Sequence, residues 1–357
     1  MRAFDSVGRQ LWSFTTGGAV LGSPLAVIQK DLAQPGPVQD CAIVAGSEDG
    51  NVYGLNPSTG VIEWTYDAGS PIFTSPVLSN PGPISGPNTP GGSPGPGQDV
   101  VIAADNGSVY ALNGCTGAPV WSDVGGSPGP IQTPAVLSGV KLSDGTTHTI
   151  VFVTLNGNLV EALDAGTGDS LWTFSEASPG PMSAPSAYGS GQGARIVFGF
   201  GDSVVELNAS TGKQVWSFAT GGTVTGGVAL DNIVTAAGPT AGPDLKLSLH
   251  AIIGGDSDGD LYAINPKNGK QLCSESQPGP IQTPSVANGV IYVENSPGPI
   301  SDGSLEALDA SDGSLLFSAD LGSTSPGPIQ SPAVADGDVF TEDNSGDLLI
   351  LGLVGTT

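Results

Sequence analysis

The densest chemistry in this chain sits in five residues. Asp256-Ser257-Asp258-Gly259-Asp260 alternates carboxylates around a tight turn, a spacing that can converge oxygens on calcium. The run lacks the distant bidentate glutamate of an EF-hand loop, and the competing reading is a solvated hairpin turn. Asp49, Asp105 and Asp302 stand at equivalent turns, Asp49-Gly50, Asn106-Gly107 and Asp302-Gly303. They are turn residues first and an acidic binding surface second. Ile131-Gln132, Ile281-Gln282 and Ile329-Gln330 each follow a Pro-Gly-Pro linker. Were these glutamines to face a common axis, they would offer neutral donors and acceptors to a sugar, a peptide carbonyl or water. The plainer role is to satisfy backbone groups of the adjoining linker. His148 and His250 are the two histidines; neither neighbours a nucleophile elbow, and each reads as a surface or edge residue. Cys41, Cys115 and Cys273 show no zinc or redox spacing. The expectation is three free thiols, a Cys41–Cys115 bridge requiring that the first two repeats bring the pair within disulfide reach.

The elements that must position these residues are announced by repetition. A tight Asp/Asn-Gly turn, an alternating run ending in Ala-Leu-Asp/Asn, a Thr-Gly turn and a short run closed by tryptophan recur seven times. Ala111-Leu112-Asn113 with Gly117 and Trp121 is one copy; Ala162-Leu163-Asp164 with Gly168 and Trp172 is another. The period runs from 44 to 57 residues, which suits one propeller blade per repeat. Asn-Gly and Asp-Gly turns between alternating runs predict hairpins, because both central residues of a type I′ turn need positive φ. The prediction is an all-β, seven-bladed β-propeller of four-stranded antiparallel blades forming a single domain over 1–357. Blades are expected at about 15–68, 69–125, 126–176, 177–220, 221–275 and 276–320, with 321–357 plus 1–14 completing the seventh. In that seventh blade, Gln10-Phe14 is expected to supply the outermost strand beside Asp347-Leu351, so that the two termini close the ring. An eighth, partial blade built from Met1-Phe4 is the alternative.

Composition narrows the function classes. Glycine (55) and proline (30) are abundant, the punctuation of many tight turns. A charged fraction of 12% looks like a secreted or surface protein. The formal charge of −25, with only 9 Lys and Arg, excludes a nucleic-acid footprint and adsorption to anionic lipid; it favours a basic partner or divalent cations. No run approaches the roughly 18 apolar residues of a membrane span. The first residues are not a signal peptide, so the expectation is an extracellular, cell-surface or periplasmic protein whose targeting segment is absent from this chain. Long Pro- and Gly-rich insertions at 28–40, 79–98 and 231–246 are expected to reach outward to a neighbour.

The phrase Ala-Leu-Asp/Asn, Thr-Gly, Trp, preceded by Thr133-Pro134-Ala135-Val136 or Ser331-Pro332-Ala333-Val334, resembles the PQQ-like β-propeller repeat. That family includes quinoprotein dehydrogenases, BamB-type assembly lipoproteins and the ectodomains of some sensor kinases. The resemblance implies that Trp12, Trp64, Trp121, Trp172 and Trp216 dock neighbouring blades, with Cys273 and Phe317 as departures. The enzyme branch uses adjacent cysteines, an aspartate base, a basic residue on the quinone and calcium; this chain has no adjacent cysteines and no Cys-x-x-Cys-His haem motif. No cofactor is therefore expected, PQQ included; calcium at Asp256, Asp258 and Asp260 is the one candidate, set against a solvated hairpin turn. The leading expectation is a non-catalytic, extracytoplasmic scaffold that binds protein, self-association included. The alternatives are a ligand-sensing ectodomain and a PQQ-dependent dehydrogenase-like enzyme.

Overall fold

A computed structural model describes residues 1–5, 9–29, 39–79, 98–123, 131–155, 158–176, 180–224, 226–234, 247–277, 279–281, 283–295, 303–310, 312–321, 332–335, 338–342 and 348–352. Asp302, Gln282 and Gln330 and most of the three long insertions lie outside these residues.

Every described sheet is an antiparallel meander in which chain neighbours are sheet neighbours. β1 (Arg2–Phe4) and β2 (Gln10–Ser13) form a two-stranded sheet. The first four-stranded sheet contains β3 (Leu25–Gln29), β4 (Gln39–Gly46), β5 (Asn51–Leu55) and β6 (Ile62–Asp67). The second contains β7 (Val77–Leu78), β8 (Asp99–Ala103), β9 (Val109–Asn113) and β10 (Pro119–Asp123). The third is β11 (Ala135–Lys141), β12 (Thr147–Leu155), β13 (Leu159–Asp164) and β14 (Ser170–Ser175). The fourth is β15 (Ser186–Tyr188), β16 (Arg195–Phe200), β17 (Ser203–Asn208) and β18 (Gln214–Ala219). The fifth is β19 (Ala229–Val234), β20 (Leu247–Gly255), β21 (Asp260–Ile264) and β22 (Gln271–Ser276). The sixth is β23 (Ser285–Ala287), β24 (Val290–Asn295), β25 (Ser304–Asp309) and β26 (Leu315–Asp320). β27 (Ala333–Ala335), β28 (Asp338–Glu342) and β29 (Leu348–Gly352) form a three-stranded sheet.

Two compact units divide the chain. One holds Met1–Pro179 with Ala187–Ile196 and Leu207–Lys213; the other holds Gly180–Ser186, Val197–Glu206 and Gln214–Thr357. Within each unit the core is a series of apolar layers, each shared by successive sheets. Val44 and Val52 of the first sheet pack with Ile102 and Leu112 of the second. Val101 and Ala111 of the second pack with Val153 and Leu163 of the third. In the other unit, Leu261 and Ala263 pack with Ile291 and Leu308, and Tyr292 and Leu305 pack with Val339. Second and third strands are covered on both faces, which explains why runs such as β9 are apolar without alternation. Each fully buried aliphatic or aromatic side chain is worth about 1.5–3 kcal/mol relative to exposure.

The tryptophans meet a specific receptor, the glycine of the next repeat's turn between third and fourth strands. A Cβ built on Gly60 would lie 2.6 Å from Trp12, on Gly117 2.5 Å from Trp64, on Gly168 2.7 Å from Trp121, on Gly212 2.6 Å from Trp172 and on Gly269 2.7 Å from Trp216. All five glycines have positive φ, so the turn geometry and the ring both demand a residue without a side chain. Four of the indoles donate Nε1–H to the carbonyl three residues before that glycine: Pro57, Ala165, Ala209 and Pro266, at 2.8–3.1 Å. Trp64 Nε1 is buried without a hydrogen-bond partner. A one-residue register shift precedes the docking position in β2, β6, β10, β14, β22 and β26, and such a bulge re-aims the next side chain.

Two expectations are corrected. Gln10–Ser13 does not complete the last sheet. It pairs with β1 through Arg2↔Ser13, Ala3↔Trp12 and Phe4↔Gln10, and β27–β29 remain three-stranded. The seven-bladed ring closed by a shared last blade is therefore overturned: eight sheets are present among the described residues, and none joins the two ends of the chain. The physical reason lies in the bulge. β1–β2 carries the register shift of a third–fourth strand pair, so β1 already occupies the edge of β2 that β29 would have needed. The second correction concerns the thiols. Cys41 and Cys115 are joined in a disulfide with Cα atoms 5.4 Å apart, because β4 and the turn after β9 contribute to the same apolar layer. Cys273 is free.

Candidate functional site

The turns joining second to third strands concentrate the acids. Asp49, between β4 and β5, accepts the Asn51 N–H and Nδ2–H on Oδ1 at 2.9 and 3.1 Å. On Oδ2 it accepts the Gly17 N–H and the Tyr53 hydroxyl, both at 2.7 Å. Burial alone would push its carboxyl up, but the bonds from Tyr53, Asn51 and Gly17 outweigh it and hold the pKa below the usual range. Asp256, between β20 and β21, repeats the arrangement. Oδ1 accepts the N–H groups of Asp258 and Asp260 at 3.0 and 2.9 Å, and Oδ2 accepts the Gly222 N–H at 2.9 Å and the Tyr262 hydroxyl at 3.1 Å. Tyr262 also accepts the Gly221 N–H at 3.0 Å. Burial, with Asp256 and Asp260 beside it, raises its pKa to about 12.

These two clips share a sequence signal that strand patterning does not reveal. Phe14-Thr15-Thr16-Gly17-Gly18 and Phe218-Ala219-Thr220-Gly221-Gly222 share the pattern Phe-x-Thr-Gly-Gly. In both, the threonine hydroxyl donates to the second glycine's carbonyl, and the phenylalanine meets the clip tyrosine edge-on, with ring centroids 5.4 and 5.3 Å apart. A Cβ on Gly18 would lie 2.6 Å from the Asp49 N, so the close approach requires glycine.

The alternating carboxylates are held by hydrogen bonds, Asp256 and Asp260 meeting at the Tyr262 hydroxyl. Asp256 is fully buried and both its oxygens already accept hydrogen bonds. Asp258 is exposed, and Asp260 accepts from the Ser276 and Tyr262 hydroxyls. No group of three or more His, Cys, Asp or Glu suited to a metal ion occurs among the described residues. Asp105 is half-buried, its N–H donating to Pro71 O at 2.9 Å. Gln132 is exposed, its N–H donating to Thr154 O at 3.1 Å, while the adjoining Ile131 is buried and bridges Leu155. In that linker it is the isoleucine that is sunk into the sheet. Likewise Ile281 is wholly buried and fills the space that a Cβ on Gly255 would need.

One constellation was missed by the sequence reading. His148 on β12 places Nδ1 2.5 Å from Asp164 Oδ2 and Nε2 2.7 Å from Thr146 Oγ1. This is the order of a hydroxyl–imidazole–carboxylate relay. The hydroxyl, however, also lies 2.5 Å from Asp144 Oδ1, a stronger acceptor for its hydrogen. Bonds from Thr146 lower the Asp144 pKa, with His148 adding to the effect. The cluster is a chain of hydrogen bonds tying the β11–β12 hairpin tip to the turn between β13 and β14, and its hydroxyl is held as a donor to carboxylate. The 16-residue separation of His148 and Asp164, spanned by a hairpin, hid it.

The comparisons with known proteins agree with this architecture. A family model described as outer membrane protein assembly factor BamB matches residues 1–81, 83–241 and 250–354. The tetrathionate hydrolase of Acidithiobacillus ferrooxidans is 26% identical over 259 residues, 63% of this chain and 47% of that protein. The chain thus spans about half the length of that curated relative. Among solved structures, BamB from Moraxella catarrhalis superposes with a TM-score of 0.62 at 17% identity, over 98% of this chain and 88% of that one. Saccharomyces cerevisiae Sqt1 superposes at 0.65 and 13% identity, over 95% and 84%. The quinohemoprotein alcohol dehydrogenase ADHIIG of Pseudomonas putida HK5 superposes at 0.57 and 14% identity, over 94% and 66%. At such identities these structures share the fold, not the chemistry.

Proposed function

The chain belongs to the family of the outer membrane protein assembly factor BamB, and from that membership we propose that it is a non-catalytic protein-binding scaffold working outside the cytoplasm. The observation that carries the reading is how its reactive-looking side chains are spent. Asp49 and Asp256 each accept four hydrogen bonds that hold a turn to a linker, and His148 serves a hairpin tip. Rigid turns of this kind present a fixed surface, which lowers the ordering cost of binding a partner. The Cys41–Cys115 disulfide supports an oxidising compartment, where such bonds persist. No helix among the described residues is long and apolar enough to cross a membrane.

The test is photo-crosslinking in the native cell from three exposed positions, Gln132 in the linker before β11, Asp258 in the β20–β21 turn and Asp169 in the β13–β14 turn. The expected result is a covalent adduct of one defined mass from at least one position. Absence of any protein adduct, together with tetrathionate turnover or quinone-dependent dye reduction by the purified chain, would sink the proposal and favour an enzyme.

A further inference from the structure

β26 departs from its counterparts. It is the edge of the sixth sheet, and three consecutive apolar side chains lie open on it: Leu315 at 58%, Leu316 at 55% and Phe317 at 51% exposure. Phe317 stands where the other repeats carry tryptophan. Trp64 and Trp216 at that position are 8% exposed and the other three tryptophans are partly buried, each seated on a glycine of the next repeat; Phe317 is a knob without such a seat among the described residues. Natural edge strands are blunted by lysine, proline or inward charge, and here the first charge on the strand is Asp320 at its far end.

The stretch of chain that contains this strand carries charge of one sign. Residues 271–357 contain 12 Asp and Glu and no Lys, Arg or His. Asp312 precedes the strand, Asp320 ends it, and Glu306 lies on the neighbouring β25, opposite Ser318. A second copy of this chain, with its net charge of −25, would bring like charge against like, which is costly at an interface. A segment alternating lysine or arginine with large apolar residues would satisfy both features.

We infer that the β26 edge is a docking site for an extended, cationic segment of another protein, its apolar side chains covering Leu315, Leu316 and Phe317 and its cations facing Asp312 and Glu306. Beyond the bulge, Phe317–Ala319 lies on the outer edge of its sheet, the place where an added strand is held. The inference deepens the scaffold reading and rests on it.

Fluorescence anisotropy of the full chain with a labelled eight-residue peptide alternating lysine and valine tests it. The peptide should bind, more weakly as salt rises. Replacing Leu315, Leu316 and Phe317 together by serine should weaken binding at least about tenfold. Leu316→Glu, which adds attractive charge but removes an anchor, should also weaken it. Serine at the equally exposed Val61 and Ile62 should leave it unchanged, and melting curves of all variants should overlay the parent's. Equal affinity for a lysine–serine peptide, tighter binding by Leu316→Glu, or self-association abolished by the triple replacement would overturn the inference. Should crosslinked adducts persist from the turns while the peptide ignores β26, this site fails and the scaffold reading stands.

Discussion

The Asp–Tyr clip carries a pH signature that belongs to single residues. Tyr262 has its pKa raised from 10.0 to about 12, so its neutral form is favoured in the folded chain. Its contribution to stability is whole below about pH 10 and is lost as pH rises toward about 12. Tyr262→Phe should therefore cost about 1 kcal/mol at neutral pH through the lost hydrogen bond and flatten the alkaline limb of a stability–pH curve. Asp49 works with the opposite sign: its lowered pKa contributes stability above the ordinary carboxylate range that disappears on acidification. Asp256→Ala should be worse than either, leaving buried N–H groups unpaired at about 1–3 kcal/mol each. Millimolar calcium should not shift the melting temperature of the parent, since the Asp256 oxygens are already occupied. At this scale the sequence showed that acids gather at turns. It did not show where the N–H groups of Gly17 and Gly222 would converge, because those partners come from linkers 32 and 34 residues away.

Strand pairs and their junctions were the most legible level, and also the level of the clearest error. The six four-stranded meanders follow from alternating runs and Asx-Gly turns. The tryptophan positions were visible, their glycine receptors were not, and the pair makes a comparison possible. Gly168 and Gly139 both have positive φ, yet a Cβ on Gly168 would strike Trp121 at 2.7 Å whereas one on Gly139 meets open space. Gly139→Ala should cost about 1 kcal/mol in backbone strain alone. Gly168→Ala should cost a further 1–3 kcal/mol or so for displacing the ring, and urea titration of the two variants will show whether the gap exists. The junction of the first two sheets is held differently. Trp64 lacks the bond its counterparts make, and the Cys41–Cys115 bridge lies there instead. Cys115→Ser should cost about 2–4 kcal/mol, with Cys273→Ser nearly silent. The 74-residue separation of the bridged cysteines concealed them, since pairing depends on two sheets sharing one apolar layer. The proposed closure by the termini failed for a related reason: every third and fourth strand reads alike, and only the register of β1 against β2 reveals that the edge is taken.

At the scale of the molecule, a strongly acidic chain with 9 cations has spent its acids on turns and left its surface biased toward basic partners. A platform of that kind needs no reactive centre, and steering by charge would make its associations fast and salt-sensitive. Function was the least legible level because the repeat phrase encodes sheets, and sheets of this kind carry many activities. The most direct measurement is the native mass of the protein released gently from its own cells, read by size-exclusion chromatography with light scattering, beside the purified chain of 35.4 kDa. A monomer is expected when pure, and a salt-sensitive complex with a different protein when native. A monomer in both preparations would contradict the scaffold role.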